Sequence, residues 1–278
     1  MKQKWKDLPV WIITMLTIMP VLFVVLASFL SPESIRETFS GIVNGEGREN
    51  YVQFRHISFG LEQYLEAFAA TPQYWYNFWN SVVLVLPVLL GTVAIATLAG
   101  YGFAKFRFQG KQYAFILFLI LMLLPYQVRL IPDFYISSNM GFIGKRIAII
   151  LPGIFTPFGC YLMYQSIRHI SDTTLEMAKV EGAGHFRILW KIVLPQALPG
   201  LVSLGILTLI DIWNMIEQPL ILLRNEQLYP LSVELQRIGT EDLGIAFACA
   251  SIYLIPVLLA FLAGKELLTE GIANTYIQ

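Results

Sequence analysis

Of 278 residues, 56% are hydrophobic and 14% carry a charge, and the mean hydropathy is +0.62. Soluble domains carry about 25% charged residues, so this chain has too few ionic groups to cover a water-facing globule. Its 19 basic and 19 acidic residues cancel, which removes the basic field that nucleic acid requires. Cys160 and Cys249 lie in apolar stretches, and His56, His169 and His185 have no close partners, so neither a disulfide framework nor a metal site is indicated. The composition predicts an integral membrane protein, and its long apolar runs make that protein all-α and polytopic.

A helix needs roughly 20 apolar residues to cross the hydrocarbon core, and six segments approach that length: 10–30, 80–104, 112–132, 147–164, 197–223 and 246–262. The first follows Lys2, Lys4 and Lys6. Its apolar run is too long for a signal-peptide core and no small-residue cleavage pattern follows it, so it reads as a retained span after a short segment, 1–9. Residues 31–79 then read as an extracytoplasmic segment. Asn44–Gly47 is turn-like, and Leu61, Tyr64, Leu65 and Phe68 recur at the spacing of one helix face. Tyr74, Trp75, Tyr76 and Trp79 resemble an interfacial aromatic belt. Residues 80–265 form the predicted core of spans two to six, and 266–278 an inner tail. Pro20, Pro87, Pro125, Pro157, Pro219 and Pro256 fall in the spans, which predicts helices bent around a pathway.

With the N-terminus inside, the inner stretches hold Lys2, Lys4, Lys6, Lys105, Arg107, Lys111, Arg168, Lys179, Arg187, Lys191 and Lys265, eleven of the 19 basic residues. They hold six acidic ones. This asymmetry predicts that both termini are cytoplasmic, although Lys145 and Arg146 fall on the other side.

The longest inner loop, 168–199, is patterned as two short amphipathic helices. Ser171 and Asp172 offer an N-cap, Leu175, Ala178 and Val180 supply an apolar face, and Gly182 and Gly184 break the helix. Phe186, Leu189, Trp190, Val193 and Leu194 then follow helical spacing until Pro195 and Pro199. Such a pair, seated beneath a bundle by one face, presents its other face to a cytoplasmic partner.

The loop's residues carry a resemblance. Glu176-Met177-Ala178, three residues, Gly182, nine residues, then Ile192-x-Leu194-Pro195 resembles the EAA motif of ABC-importer permeases, with Met177 in place of the middle alanine and Glu181 where aspartate is commoner. Asn80-Ser81, 99–104 (Ala-Gly-Tyr-Gly-Phe-Ala), Phe106-x-Phe108, Leu124-Pro125, Trp213-Asn214 and Pro219-Leu220 are similar to the carbohydrate-uptake branch of that family, the maltose and glycerol-3-phosphate type. The similarity runs from about Leu61 to Gly271, and the tail from Ile272 to Gln278 departs from it.

The resemblance implies six membrane helices and no catalytic residues of the chain's own. It implies a second permease subunit, a dimeric ABC ATPase that carries ATP–Mg, an extracytoplasmic solute-binding protein and surrounding lipid. The sequence itself has no Gly-x-x-x-x-Gly-Lys-Ser/Thr phosphate loop, so energy is expected from another subunit. By the same resemblance Glu176, Ala178, Glu181, Gly182, Ala183, Gly184, Ile192, Leu194 and Pro195 couple the chain to that ATPase. Read without it, Thr173-x-x-Glu176 also fits a capping box, and the two glycines fit a plain C-cap and turn.

Asp211 and Glu217, with Trp213 and Asn214 between them, lie in or near span five, and intramembrane carboxylates call for a functional reading. One reading is a sugar path through Tyr126, Gln127, Asp211, Trp213 and Asn214, with Trp213 or Tyr126 stacked on a pyranose face. Others are a proton relay or structural hydrogen bonding, and Gln127, Arg129 and Asp133 also fit interface anchors. The acidic loop 224–246 is expected to be exposed and is a candidate contact for the binding protein. The rival to an ATP-driven importer is an ion-coupled carrier, against which stands the absence of a convincing internal repeat. A membrane enzyme is the other, and it finds no activated nucleophile.

Overall fold

The computed structural model describes residues 8–43, 57–70, 72–238 and 243–276. In chain order the helices are α1 (Leu8–Ala27), α2 (Pro32–Val43), α3 (Glu62–Leu65, continued by a π turn over Glu66–Ala70), α4 (Pro72–Lys105), α5 (Lys111–Leu123), α6 (Tyr126–Asn139) and α7 (Ile147–Ile154). There follow α8 (Pro157–Arg168), α9 (Asp172–Val180), α10 (His185–Gln196), α11 (Leu198–Trp213), α12 (Glu217–Leu222), α13 (Leu231–Leu235) and α14 (Leu243–Tyr276). Among the described residues the only extended pairing is an isolated antiparallel bridge between Leu30 and Phe59.

Among the described residues four helical stretches are long and apolar enough to span a membrane: Pro9–Ala27, Pro72–Lys105, Ile147–Arg168 and Leu243–Leu267. The number rises to six only if two bent pairs each count as one span. The third predicted span is one of these: α5 and α6 meet at 104° across Leu124 and Pro125. Proline has no N–H and drives the preceding residue into extended backbone, and Leu124 sits at φ −67°, ψ 126°. The other pair is α10 and α11, which meet at 78°, and the fifth predicted span is itself interrupted. α11 has 16 residues, about 24 Å at the helical rise, and ends at Asn214 before α12 begins at Glu217.

The chain divides into two compact units. The first combines Met1–Phe78 with Glu234–Pro256. Here α1 exposes apolar side chains all round, Val10, Met15 and Leu16 among them, as a lipid-facing helix does. At its end Ala27 and Leu30 pack with Ile35 and Phe39 of α2 and with Leu243 and Phe247 of α14, and Phe23, Phe39 and Phe247 meet as three ring pairs. The Gln63 amide donates to the Leu30 carbonyl. The face expected from Leu61, Tyr64, Leu65 and Phe68 is turned. Gln63 and Ala67 are buried whereas Leu61 and Leu65 point outward. Phe68, Tyr74, Trp75 and Phe78 form a run of ring contacts, three of them edge-on. The turn expected at Asn44–Gly47 lies outside the described residues.

The second unit combines Trp79–Val233 with Val257–Gln278 and holds the larger core. A single buried cluster joins Ala96 and Tyr101 of α4, Met163 and Ile167 of α8, Leu175 of α9, Ile188, Leu189 and Val193 of α10, and Leu204 of α11. α4 lies close against α8 because Gly100 has no side chain: a Cβ there would come 2.6 Å from the Met163 Cβ and 2.8 Å from backbone atoms. Small residues at such crossings let helix backbones approach, which is the main source of helix attraction in lipid. Gly100→Leu is therefore expected to destabilise this unit by about 1–3 kcal/mol, as overpacking does. Thermal unfolding in detergent checks this as a lowered midpoint against the parent chain.

Candidate functional site

The loop at 168–199 is built from its caps inward. Ser171 precedes α9 and makes no side-chain cap hydrogen bond. Instead Asp172, the first residue of the helix, receives the Lys105 ammonium at 2.7 Å, and this contact holds its carboxyl below the ordinary carboxylate range. Thr173 lies inside the first turn rather than at the cap, so the alternative capping box with Glu176 does not form.

At the other end the Gly182 N–H donates to the Lys179 carbonyl and the Ala183 N–H to the Ala178 carbonyl, both at 2.9 Å. These are the paired bonds of a Schellman termination, with Gly182 at φ +83° as its left-handed residue. No atom lies within 4 Å of where a Gly182 Cβ would sit. The glycine is thus required here by backbone conformation, and the space beside it is open.

α10 keeps Leu189, Val193 and Leu194 of its expected stripe against the core and departs from it at two positions. Phe186 and Trp190 are exposed, at 72% and 64%, whereas Ile188, Leu189 and Val193 are buried. A π turn runs over Leu189–Val193 within this stretch. Val180, expected on the apolar face of α9, is 89% exposed.

The motif residues sort into two groups. Ala178, Ala183, Ile192 and Leu194 pack against the buried cluster. Glu176, Glu181, Gly182, Gly184 and Pro195 face outward, beside the exposed Met177, Val180, Phe186 and Trp190. One face is therefore an anchor, and the other is apolar surface ringed by charge.

The proposed path residues fall differently. Tyr126 and Asp211 line a cavity together with Arg129, Asp133, Thr156 and Gln218. Asn214 joins Tyr126, Arg129, Asp211, Glu217 and Gln218 around a second, more open recess, and its amide donates to the Ile210 carbonyl at 2.7 Å. Trp213 is 3% exposed and lines neither, because it sits on the packed side of α11's last turn, so it has no ring face to offer a sugar. Gln127 also lines neither; it is exposed, and its amide donates to Glu217 at 3.4 Å. Arg129 and Asp133, read as interface anchors, lie in the cavity wall one helical turn apart on α6. Their i, i+4 spacing after Pro125 was the available signal.

The segment after α12 is only partly exposed. Arg224 to Gln227 face outward, but Tyr229, Leu231, Ser232 and Val233 are buried. Asn80 donates to the carbonyls of Gln227 at 2.7 Å and Tyr229 at 3.1 Å, and Ser81 accepts from the Leu231 N–H at 2.9 Å. Arg146 donates to the Asn80 Oδ1 at 2.7 Å, so one of the two cations that break the charge asymmetry is held by this network.

Helices with short amphipathic segments anchored on their ends, and a polar cavity between apolar stretches, define a multi-pass membrane transport component. The chain belongs to the family of binding-protein-dependent transport system inner membrane components, whose sequence pattern matches residues 2–267. It is 24% identical to the arabinooligosaccharides transport system permease protein AraQ of Halalkalibacterium halodurans, over 98% of each chain. It is 24% identical to the diacetylchitobiose uptake system permease protein NgcG of Streptomyces coelicolor, over 89% of this chain and 80% of that one. With the sn-glycerol-3-phosphate transport system permease protein UgpE of Yersinia enterocolitica it shares 29% identity over 51% of each. The fold matches a solved bacterial ABC transporter involved in import of the acidic polysaccharide alginate, with a TM-score of 0.78, 19% identity and 95% coverage of both chains.

Two outcomes follow for the loop. Gly182→Ala places a Cβ in the left-handed region at about 1–2 kcal/mol, so amide exchange at residue 182 and Ala183 should quicken by about tenfold, with Gly182→Asn milder. The Asp172 carboxyl titrates below its unfolded value, so its contribution is whole above about pH 4 and fades as pH falls through the lowered folded value. Exchange protection of the α9 amides from Leu175 onward should follow that profile, weaken in high salt because the carboxylate is exposed, and lose its pH dependence in Asp172→Asn.

Proposed function

We propose that this chain is a transmembrane permease subunit of an ATP-driven, binding-protein-dependent ABC importer for a carbohydrate, an oligosaccharide or sugar derivative. Three of the relatives are named for uptake of arabinooligosaccharides, diacetylchitobiose and sn-glycerol-3-phosphate, which supports that substrate class. Both termini are cytoplasmic in this reading, as the basic residues favour. The chain pairs with a second permease, and a separate dimeric ATPase binds and hydrolyses ATP–Mg. An extracytoplasmic solute-binding protein delivers the sugar, with 224–227 as its nearest exposed contact on the segment after α12.

The observation that carries the reading is the outward face of α9 and α10. Met177, Val180, Phe186 and Trp190 are exposed between Glu176, Glu181, Arg187 and Lys191 while the opposite face is buried in the core. An apolar patch rimmed by charge marks a protein contact. A docked ATPase covers it, Glu176 and Glu181 offer charge contacts, and the open space beside Gly182 admits a partner's backbone. ATPase closure then moves α9 and α10 and exchanges inward- and outward-open states. Tyr126, Asp211 and Asn214, with Arg129 and Asp133, line the sugar's route and present hydroxyl-binding groups.

Mild-detergent purification of the tagged chain is expected to bring down an ABC ATPase. Glu176→Lys and Gly182→Leu should each lower its recovery by on the order of tenfold and stop ATP-dependent uptake, with membrane insertion intact. Full recovery in both variants would remove the docking assignment.

A further inference from the structure

Lys105, the last residue of α4, has a side chain only 7% exposed. Its Nζ donates to Asp172 Oδ1 at 2.7 Å, to the Arg168 carbonyl at 3.3 Å and to the Ile170 carbonyl. An ammonium has three donors, and all three are engaged. The acceptors belong to successive pieces of chain: the last residue of α8, the turn after it, and the first residue of α9.

A helix leaves its final carbonyls without intrahelical partners and concentrates partial negative charge there. At α8 that demand is met by a cation from α4. An exposed ion pair contributes little, but here the ammonium is withdrawn from water and two backbone acceptors depend on it. Removal leaves those carbonyls without their shared donor.

The apolar seat does not replace this tie. At the start of α9, Ser171, Asp172 and Thr173 are all exposed, and packing against the core begins only at Leu175. Without Lys105 the helix is held along one side and free to pivot at its N-terminal end.

We propose that Lys105 is a positioning residue that locks α9 to α4 and α8, so that a load placed on the loop helix moves all three as one body. This rests on the importer reading, because a load on α9 requires an ATPase partner.

The test uses the whole transporter in nanodiscs, with spin labels at Thr173→Cys and Leu98→Cys in a Cys160→Ala, Cys249→Ala background. The α9–α4 distance is read without nucleotide and after trapping with ATP and vanadate. With Lys105 in place the distance should be the same in both states. With Lys105→Met, which keeps the aliphatic stem, it should shift by about 2 Å or broaden, the size of a helix shift at an interface, while the ATPase stays bound. Lys105→Arg should restore the single distance.

If Lys105→Met is not inserted, Asp172→Asn carries the same test with a smaller broadening, because the two carbonyl bonds remain. A substituted chain that keeps the parent distance in both states overturns the proposal. A parent chain that recruits no ATPase overturns the importer reading first, and the role of Lys105 with it.

Discussion

The structure of the second unit depends on the continuity of one apolar cluster. Ala96, Met163 and Leu204 lie on helices of the membrane bundle, and Leu175, Ile188, Leu189 and Val193 lie on the loop helices, yet all are buried in the same core. The loop is therefore packed into the bundle rather than tethered to it. Since protein interiors are close-packed and resist continuous deformation, displacement of α10, or of α9 from Leu175 onward, must be passed to α4, α8 and α11 or break that packing. In the proposed importer this is what makes a nine-residue helix an effective lever.

A second constraint acts wherever helices break: backbone groups freed from the helical ladder need partners. At Asn214 the residue's own amide returns to the Ile210 carbonyl. At Thr156 the hydroxyl accepts from the Gly159 N–H. At the end of α8 the donor comes from a different helix, through Lys105. Asn80 and Ser81 do the same for the irregular stretch at 227–231. Irregular backbone persists because polar side chains from neighbouring elements satisfy it, and those side chains thereby fix how the elements meet.

The all-helical membrane character was legible because apolar run length and charge scarcity are properties of the chain itself. So was the loop motif, whose residues lie within some twenty positions of each other and whose Gly182 occupies the left-handed turn that local chemistry favours. Less was legible where side chains from distant segments meet. Trp213 and Asp211 are two residues apart, but only the packing of α11 buries one and sends the other to the cavity. Phe186 and Trp190 lie on the predicted apolar stripe of α10, but only the packing of Ile188, Leu189 and Val193 into the core turns them outward. The bend at Leu124 and Pro125 was readable as a proline position, though not as an angle of 104°.

By itself the sequence determined that this polypeptide lives among lipids as helices, and which loop carries its signature. Those properties follow from local hydropathy, proline and glycine, which act over a few residues. Only the tertiary structure decided which face of each helix is covered, which polar groups share a cavity, and that Lys105 holds the ends of α8 and α9 across more than sixty intervening residues. Such choices come from competition among all segments for the same buried space and the same hydrogen-bond partners, which no single window of sequence records.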